Sequence, residues 1–175
     1  GVADLVEAMR MHQDHKGLQR EACGALGSLA RLNEKNKQAI ARDGGIQVVV
    51  AALSAPSTGA LEQACWALRN LAANNDRNKI AIAEAGGIEP LVAALRRGES
   101  AAISEEACAA IGNLATNAAN RQSIADAGGI VQVIAAMRKH DGHDGVQQHG
   151  RGALRSLARD HEKNRGLILQ SIPDL

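Results

Sequence analysis

The stretch Asn78-Lys79-Ile80-Ala81-Ile82-Ala83-Glu84-Ala85-Gly86-Gly87-Ile88-Glu89-Pro90-Leu91-Val92 decides how this chain folds. It is a short alanine-rich run, a Gly-Gly break, and a second run that opens on an apolar residue. The same string returns on either side of it. Gly-Gly occurs at Gly44-Gly45, Gly86-Gly87 and Gly128-Gly129, 42 residues apart each time, followed by Ile46, Ile88 and Ile130. Eight residues before each first glycine stands Asn36, Asn78 or Asn120, and four residues after each asparagine stands Ile40, Ile82 or Ile124. Asn164 and Ile168 continue the series 44 residues on. A second register lies downstream, at Ala22-Cys23, Ala64-Cys65 and Ala107-Cys108, with Gly150-Arg151 in the last copy. Self-similarity at a fixed period of this length marks a repeat array, in which each unit buries its apolar face against the next.

One unit reads as three helices. A short helix runs from Asn36 to about Arg42. Gly44-Gly45 ends it and supplies the positive-φ positions of a sharp turn. A second short helix carries Ile46, Val49, Val50 and Leu53 at spacings of three and four. Ser54 to Gly59 is a polar loop containing Pro56. A third, longer helix covers about Ala60 to Ala73. Length differences between copies fall in the loop after helix two, where insertions cost little. The composition agrees. The chain has 175 residues, 34 of them alanine, and few β-branched or aromatic runs, so it reads as helical rather than as a β-sandwich or barrel.

Composition also removes functions. There is no Phe or Tyr and one tryptophan, Trp66. Stacking platforms for bases and aromatic-lined grooves for proline-rich ligands need several aromatic side chains. Twenty basic and nineteen acidic residues nearly cancel to a net +1, so no strong field draws nucleic acid or an anionic membrane, and neither is expected as a partner. No apolar run approaches the 18 residues of a bilayer span. Residues Gly1 to Asp4 carry no signal-peptide pattern. Three cysteines are too few for a disulfide framework and suit a reducing compartment, which points to the cytoplasm or the nucleus.

Two strings, Asn78 to Val92 and Ala64-Cys65-Trp66-Ala67-Leu68-Arg69-Asn70-Leu71-Ala72, resemble the armadillo repeat, a three-helix unit stacked into a right-handed superhelix. HEAT repeats are of similar length, but the Gly-Gly turn after a short first helix favours armadillo. The resemblance covers essentially the whole chain and implies an all-α solenoid. Its units are 1–33 (helices two and three only), 34–75, 76–117, 118–160 and 161–175 (helix one only). Gly1-Val2 aligns with Gly45-Ile46, so the chain opens at a helix two, and it closes on a helix one of roughly His161 to Ser171. Neither end resembles a polar capping repeat, which leads to the expectation of a fragment of a longer array. A related expectation is head-to-tail self-association, the last helix one completing another copy.

In such an array the third helices line the concave face. At 100° per residue, Leu61, Ala64, Cys65, Ala67, Leu68, Leu71 and Ala72 fill one broad arc and must be core. The opposite arc holds Glu62, Gln63, Trp66, Arg69 and Asn70. Its counterparts are Arg20, Glu21, Gly24, Gly27 and Ser28; Glu105, Glu106, Ala109, Gly112 and Asn113; and Gln148, His149, Gly152, Arg155 and Ser156. This ladder of polar and small residues suits an extended peptide, whose unpaired backbone groups an Asn amide matches with both a donor and an acceptor. The binding positions it points to are Trp66, Asn70 and Asn113, with Arg69, Arg155, Glu62 and Glu106 setting charge preference and Ser28 and Ser156 on equivalent rungs. The Trp66–Asn70 spacing is similar to the pair with which importin-alpha proteins hold basic nuclear-localisation peptides, where tryptophans of successive repeats hold Lys or Arg stems. Here Gly24, Ala109 and Gly152 stand in place of Trp, and Ser28 and Ser156 in place of Asn.

The plainer alternatives stay open at this point. Trp66 could cover apolar surface at a repeat junction. The two asparagines could bond neighbouring carbonyls. The array could be a structural or assembly unit, natural fragment or engineered, with no groove ligand. Uneven loops and the lone tryptophan favour natural drift over design.

Other chemistry is thin. Cys23, Cys65 and Cys108 share one core register, and helix packing at roughly 8–10 Å leaves them too far apart for a disulfide, which needs about 7 Å or less between Cα atoms. Lys139-His140-Asp141-Gly142-His143-Asp144 places two imidazoles beside two carboxylates, but Met11-His12-Gln13-Asp14-His15-Lys16 repeats the spacing in the first copy. That marks a flexible, solvated loop signature more than a metal site. No phosphate loop, nucleophile elbow or zinc-protease helix is present. The expectation is a non-enzymatic protein-binding module with no cofactor and no metal.

Overall fold

The computed structural model describes residues 1–55 and 57–174, so Pro56 of the expected loop and Leu175 of the last unit lie outside the described residues. Twelve helices follow one another, and no strand occurs among the described residues. They are α1 (Val2–Met11), α2 (Lys16–Ala30), α3 (Glu34–Arg42), α4 (Gly45–Ala52), α5 (Thr58–Ala72), α6 (Asp76–Glu84), α7 (Ile88–Arg97), α8 (Ala101–Leu114), α9 (Ala118–Asp126), α10 (Gly129–Lys139), α11 (Asp144–Ala158) and α12 (Glu162–Ser171). None of them is long and apolar enough to cross a membrane.

The glycine pairs do two jobs. Gly44, Gly86 and Gly128 adopt φ of 84°, 77° and 80°, the left-handed turn that ends helix one. The second glycines admit a close approach. A Cβ on Gly45, Gly87 or Gly129 would sit 2.4, 2.8 or 2.5 Å from the Cγ2 of Ile40, Ile82 or Ile124. The helix-one isoleucine thus seats directly on its own helix two, and all three are fully buried.

Helix one begins two residues before the expected start at Asn36, because Asn33 caps it by accepting from the Asn36 backbone N–H at 3.0 Å. The repeated asparagine itself is a clamp. Its amide donates to a carbonyl near the end of the preceding helix three, Asn36 to Leu29 O at 2.8 Å, Asn78 to Leu71 O at 3.0 Å, Asn120 to Leu114 O at 3.3 Å and Asn164 to Leu157 O at 3.0 Å. Helix three likewise starts earlier, at Thr58, where Ser57 accepts from Ala60 N.

The long helices α2, α5, α8 and α11 stack side by side and form the spine. Their buried faces carry Cys23 and Leu26, Leu61 and Leu68, Ile103 and Ile111, and Ala153 and Leu154 in one continuous core. Helix two of each unit packs at the side, α4 against α1 and α10 against α7.

The first histidine loop is exposed from Met11 to Gly17 and the second is mostly exposed, as the sequence suggests, yet both are tied to the scaffold. His15 and His143 are N-caps of α2 and α11, their Nδ1 atoms accepting from Leu18 N at 3.0 Å and Val146 N at 3.4 Å. Gln19 and Gln147 then tie the loops down, donating to Met9 O and His12 O in one copy and to Met137 O and His140 O in the other. A third imidazole, His161, caps α12.

Candidate functional site

The face of the stacked third helices turned away from the core carries the residues singled out above. Trp66, Arg69, Asn70 and Glu62 lie half-buried on α5, and Glu106 and Asn113 lie half-buried on α8. On α11, Ser156 is half-buried and Arg155 exposed, and Ser28 is exposed on α2. Two rungs depart from an open ladder, since Gly27 and Ala109 are buried. Gly27 is buried by Trp66 itself. A Cβ at residue 27 would lie 2.5 Å from the indole Cε3 and 2.6 Å from Cζ3, so the benzo edge of the ring rests against the neighbouring helix at Gly27. Gly112 serves the same purpose at a later joint, with Ala153 Cα 3.2 Å from where a Cβ would stand. Gly27 and Gly112 therefore let adjacent third helices close up, at a cost of about 1 kcal/mol each in helix propensity.

Asn70 and Asn113 repeat one geometry. Asn70 donates through Nδ2 to Gly27 O at 3.3 Å, and Asn113 donates through Nδ2 to Arg69 O at 3.0 Å. Each amide is braced against the third helix before it. One N–H is thereby used, while the second N–H and Oδ1 make no other hydrogen bond among the described residues. An amide held in this way is a preoriented donor–acceptor pair on a half-open surface.

Charge on this face is arranged in pairs that the sequence did not show. Arg69 makes a two-oxygen contact to Glu106 at 3.1 and 3.0 Å, so these two expected charge selectors mainly satisfy one another. Glu105 stands next to them, with His143 Nδ1 at 3.7 Å and His149 Nε2 at 3.9 Å. His143 uses Nδ1 to cap α11, where it accepts from the Val146 backbone N–H. Burial, seconded by the Arg69 charge, holds the His149 ring below its ordinary range, against an opposing pull from Glu105 and Glu106. Glu105 was missed as a site residue because its partners come from a loop and a helix some forty positions on.

The cysteines are inert core. All three are free and buried, and burial pushes the Cys23 and Cys108 thiols up to about 12. Cys65 is pushed up too, by burial first and then by nearby carboxylates such as Glu106. Among the described residues no three His, Cys, Asp or Glu side chains are gathered in a metal-holding group.

This architecture defines an armadillo-repeat solenoid, and residues 33–73 and 75–116 match the family model of the armadillo/beta-catenin-like repeat. No curated protein matches the sequence. Among solved structures the chain is similar to an engineered protein at 28% identity, with a TM-score of 0.86 over 98% of this chain and 41% of that one. A second engineered protein, at 26% identity, gives a TM-score of 0.86 over 98% of this chain and 69% of that one. A designed armadillo repeat protein, solved in complex with the peptide (KR)4, has the same fold at 24% identity, with a TM-score of 0.85 over 97% of this chain and 70% of that one.

Proposed function

We propose that the third-helix face of α5, α8 and α11 binds an extended peptide or partner segment, and that the chain is a protein-interaction module rather than an enzyme. The unit limits 34–75, 76–117 and 118–160 given above place one binding rung per repeat. The reading rests on the pair Asn70 and Asn113. Two amides, braced identically one repeat apart, each hold an uncommitted donor and acceptor for a strand's backbone. Trp66, one turn before Asn70, supplies a half-exposed apolar surface beside the first amide. Side-chain preference comes from Glu62, Glu105 and Arg155, because Arg69 and Glu106 are already paired. One acidic cluster at mid-face and one exposed arginine toward α12 favour a ligand of mixed charge. The designed relative of the same fold holds a peptide, which agrees with this use of the fold.

A peptide array, followed by fluorescence polarisation on the best sequence, tests it. Asn70→Ala and Asn113→Ala are each expected to weaken binding about tenfold, the loss of one to two hydrogen bonds. Trp66→Ala is expected to do at least as much. Melting curves separate this from unfolding, because each asparagine also holds a neighbouring helix. Binding that survives all three changes sinks the groove.

A further inference from the structure

Glu105 and Glu106 are neighbours on α8, and the fold treats them differently. Glu106 takes two contacts from Arg69 of α5, at 3.1 and 3.0 Å. Glu105 meets no Lys or Arg within ion-pair reach among the described residues, and its side chain is only 27% exposed. A half-buried carboxylate with no cation beside it has lost part of its hydration without compensation, so it favours a charged donor brought to it. Its place is set by the next unit. A Cβ on Gly145, in the first turn of α11, would overlap the Glu105 carboxylate, so this glycine lets the carboxylate lie across the joint between α8 and α11. The corresponding joint between α2 and α5 holds a cation instead, with Arg20 lying over Gly59.

The groups that do reach Glu105 are two imidazoles, His143 Nδ1 at 3.7 Å and His149 Nε2 at 3.9 Å. They differ in their other duties. His143 uses Nδ1 to cap α11, whereas His149 stands within that helix and caps nothing. The charges around His149 are Arg69 of α5 and Glu105 and Glu106 of α8; α9, α10 and α12, which also pack against α11, add none among the described residues. Burial first, and Arg69 second, hold the ring below its ordinary value of 6.5, so it is neutral at pH 7.5. In acid it becomes a cation beside Glu105.

We propose that His149 is a proton-operated selector of ligand charge on the third-helix face. With the ring neutral, Glu105 is open to one Lys or Arg of the bound segment. With the ring protonated, His149 pairs with Glu105 and the cation is refused. The selector rests on the peptide-binding reading given above and adds to it a position, a side-chain class and a pH dependence. Because the ring and the ligand's cation compete for one carboxylate, affinity for a cationic segment falls as the pH falls, and the bound segment in turn makes the ring harder to protonate.

Two fluorescein-labelled octapeptides test it, one alternating Ser and Lys and the other alternating Ser and Gln, so that in a strand every Lys or Gln faces the same way. By fluorescence polarisation the lysine peptide is expected to bind more tightly at pH 7.5 and to lose about fivefold in affinity by pH 5.0, with a midpoint below 6.5, while the glutamine peptide stays level. Lysine keeps its charge throughout this range. His149→Gln should abolish the pH dependence, and Glu105→Gln should abolish both it and the lysine preference. His143→Asn, which keeps a capping acceptor, should leave the pH dependence in place. Circular dichroism at both pH values checks that each chain is folded. Without any peptide, the His149 ring signal in NMR should titrate below 6.5, and lower still in Glu105→Gln. Lysine-peptide binding that acid leaves unchanged overturns the selector. So does a fall that is equal in His149→Gln or lost in His143→Asn, or a ring midpoint unmoved by Glu105→Gln. A chain that ignores the lysine peptide but binds another peptide through Asn70 and Asn113 overturns the selector and leaves the groove standing. A chain that binds no peptide sinks the groove and the selector with it.

Discussion

Leu32 illustrates how one residue can work against its own position. It adopts φ of 56°, is 95% exposed, and follows α2 just as Asn74, with φ of 54°, follows α5. A left-handed backbone costs a leucine about 1 kcal/mol, and its side chain recovers little from burial here. Leu32→Asn is therefore expected to stabilise the chain by about 1 kcal/mol, read as a rise of roughly 2–4 °C in thermal midpoint. His149 gives a pH dependence with a definite sign. Its folded ring takes up a proton less readily than the unfolded one, whose ordinary value is 6.5. Between the lowered folded value and 6.5 the unfolded chain binds more protons, so acid favours unfolding. The His149 contribution is complete above about pH 6.5 and is lost as the pH falls through the folded value. Urea midpoints measured at pH 7.5 and 5.5 should differ more in wild type than in His149→Gln, and an equal loss in both would contradict the assignment.

At the scale of the element, the ends of the helices were harder to place than their middles. The spacing of Ile46, Val49, Val50 and Leu53 located α4 well, because a buried stripe writes itself into the periodicity. α3 and α5 start two residues before the apolar pattern suggests, because the side chains that cap them precede it. The caps of α2 and α11 are less legible still, since an imidazole is an uncommon capping side chain. His15 and His143 accept from backbone N–H groups and glutamines anchor both loops, which makes these loops part of the scaffold. Replacing His15 by alanine should cost about 1 kcal/mol in chemical denaturation, and replacing it by asparagine should restore most of that. Equal destabilisation by both would mean that the ring's packing matters rather than its nitrogen.

Across the whole molecule stability is shared between neighbours. The asparagine clamps and the isoleucine–glycine seats hold each unit together and join it to the next, and the main helix contacts run between adjacent units along the spine. The middle of such an array has neighbours on both sides. Hydrogen exchange followed by mass spectrometry should find the strongest protection in α5 and α8 and the weakest in α1 and α12. Uniform protection from end to end would contradict this nearest-neighbour picture.

The sequence alone determined the repeat, its three-helix unit, the core registers of isoleucine and cysteine, and the near absence of aromatic side chains. All of these are periodic or compositional, and periodicity survives in one dimension because the same local packing problem is solved in every unit. It also located the outward arc of helix three, since that arc is the complement of the buried one. Tertiary structure decided what the arc is made of. Trp66 covering Gly27, Arg69 joined to Glu106, Glu105 facing His143 and His149, and each asparagine braced on the helix before it are contacts between residues about forty positions apart. Their geometry depends on how closely adjacent helices approach. That distance is set by which glycine meets which side chain across the joint, and the period by itself does not carry it.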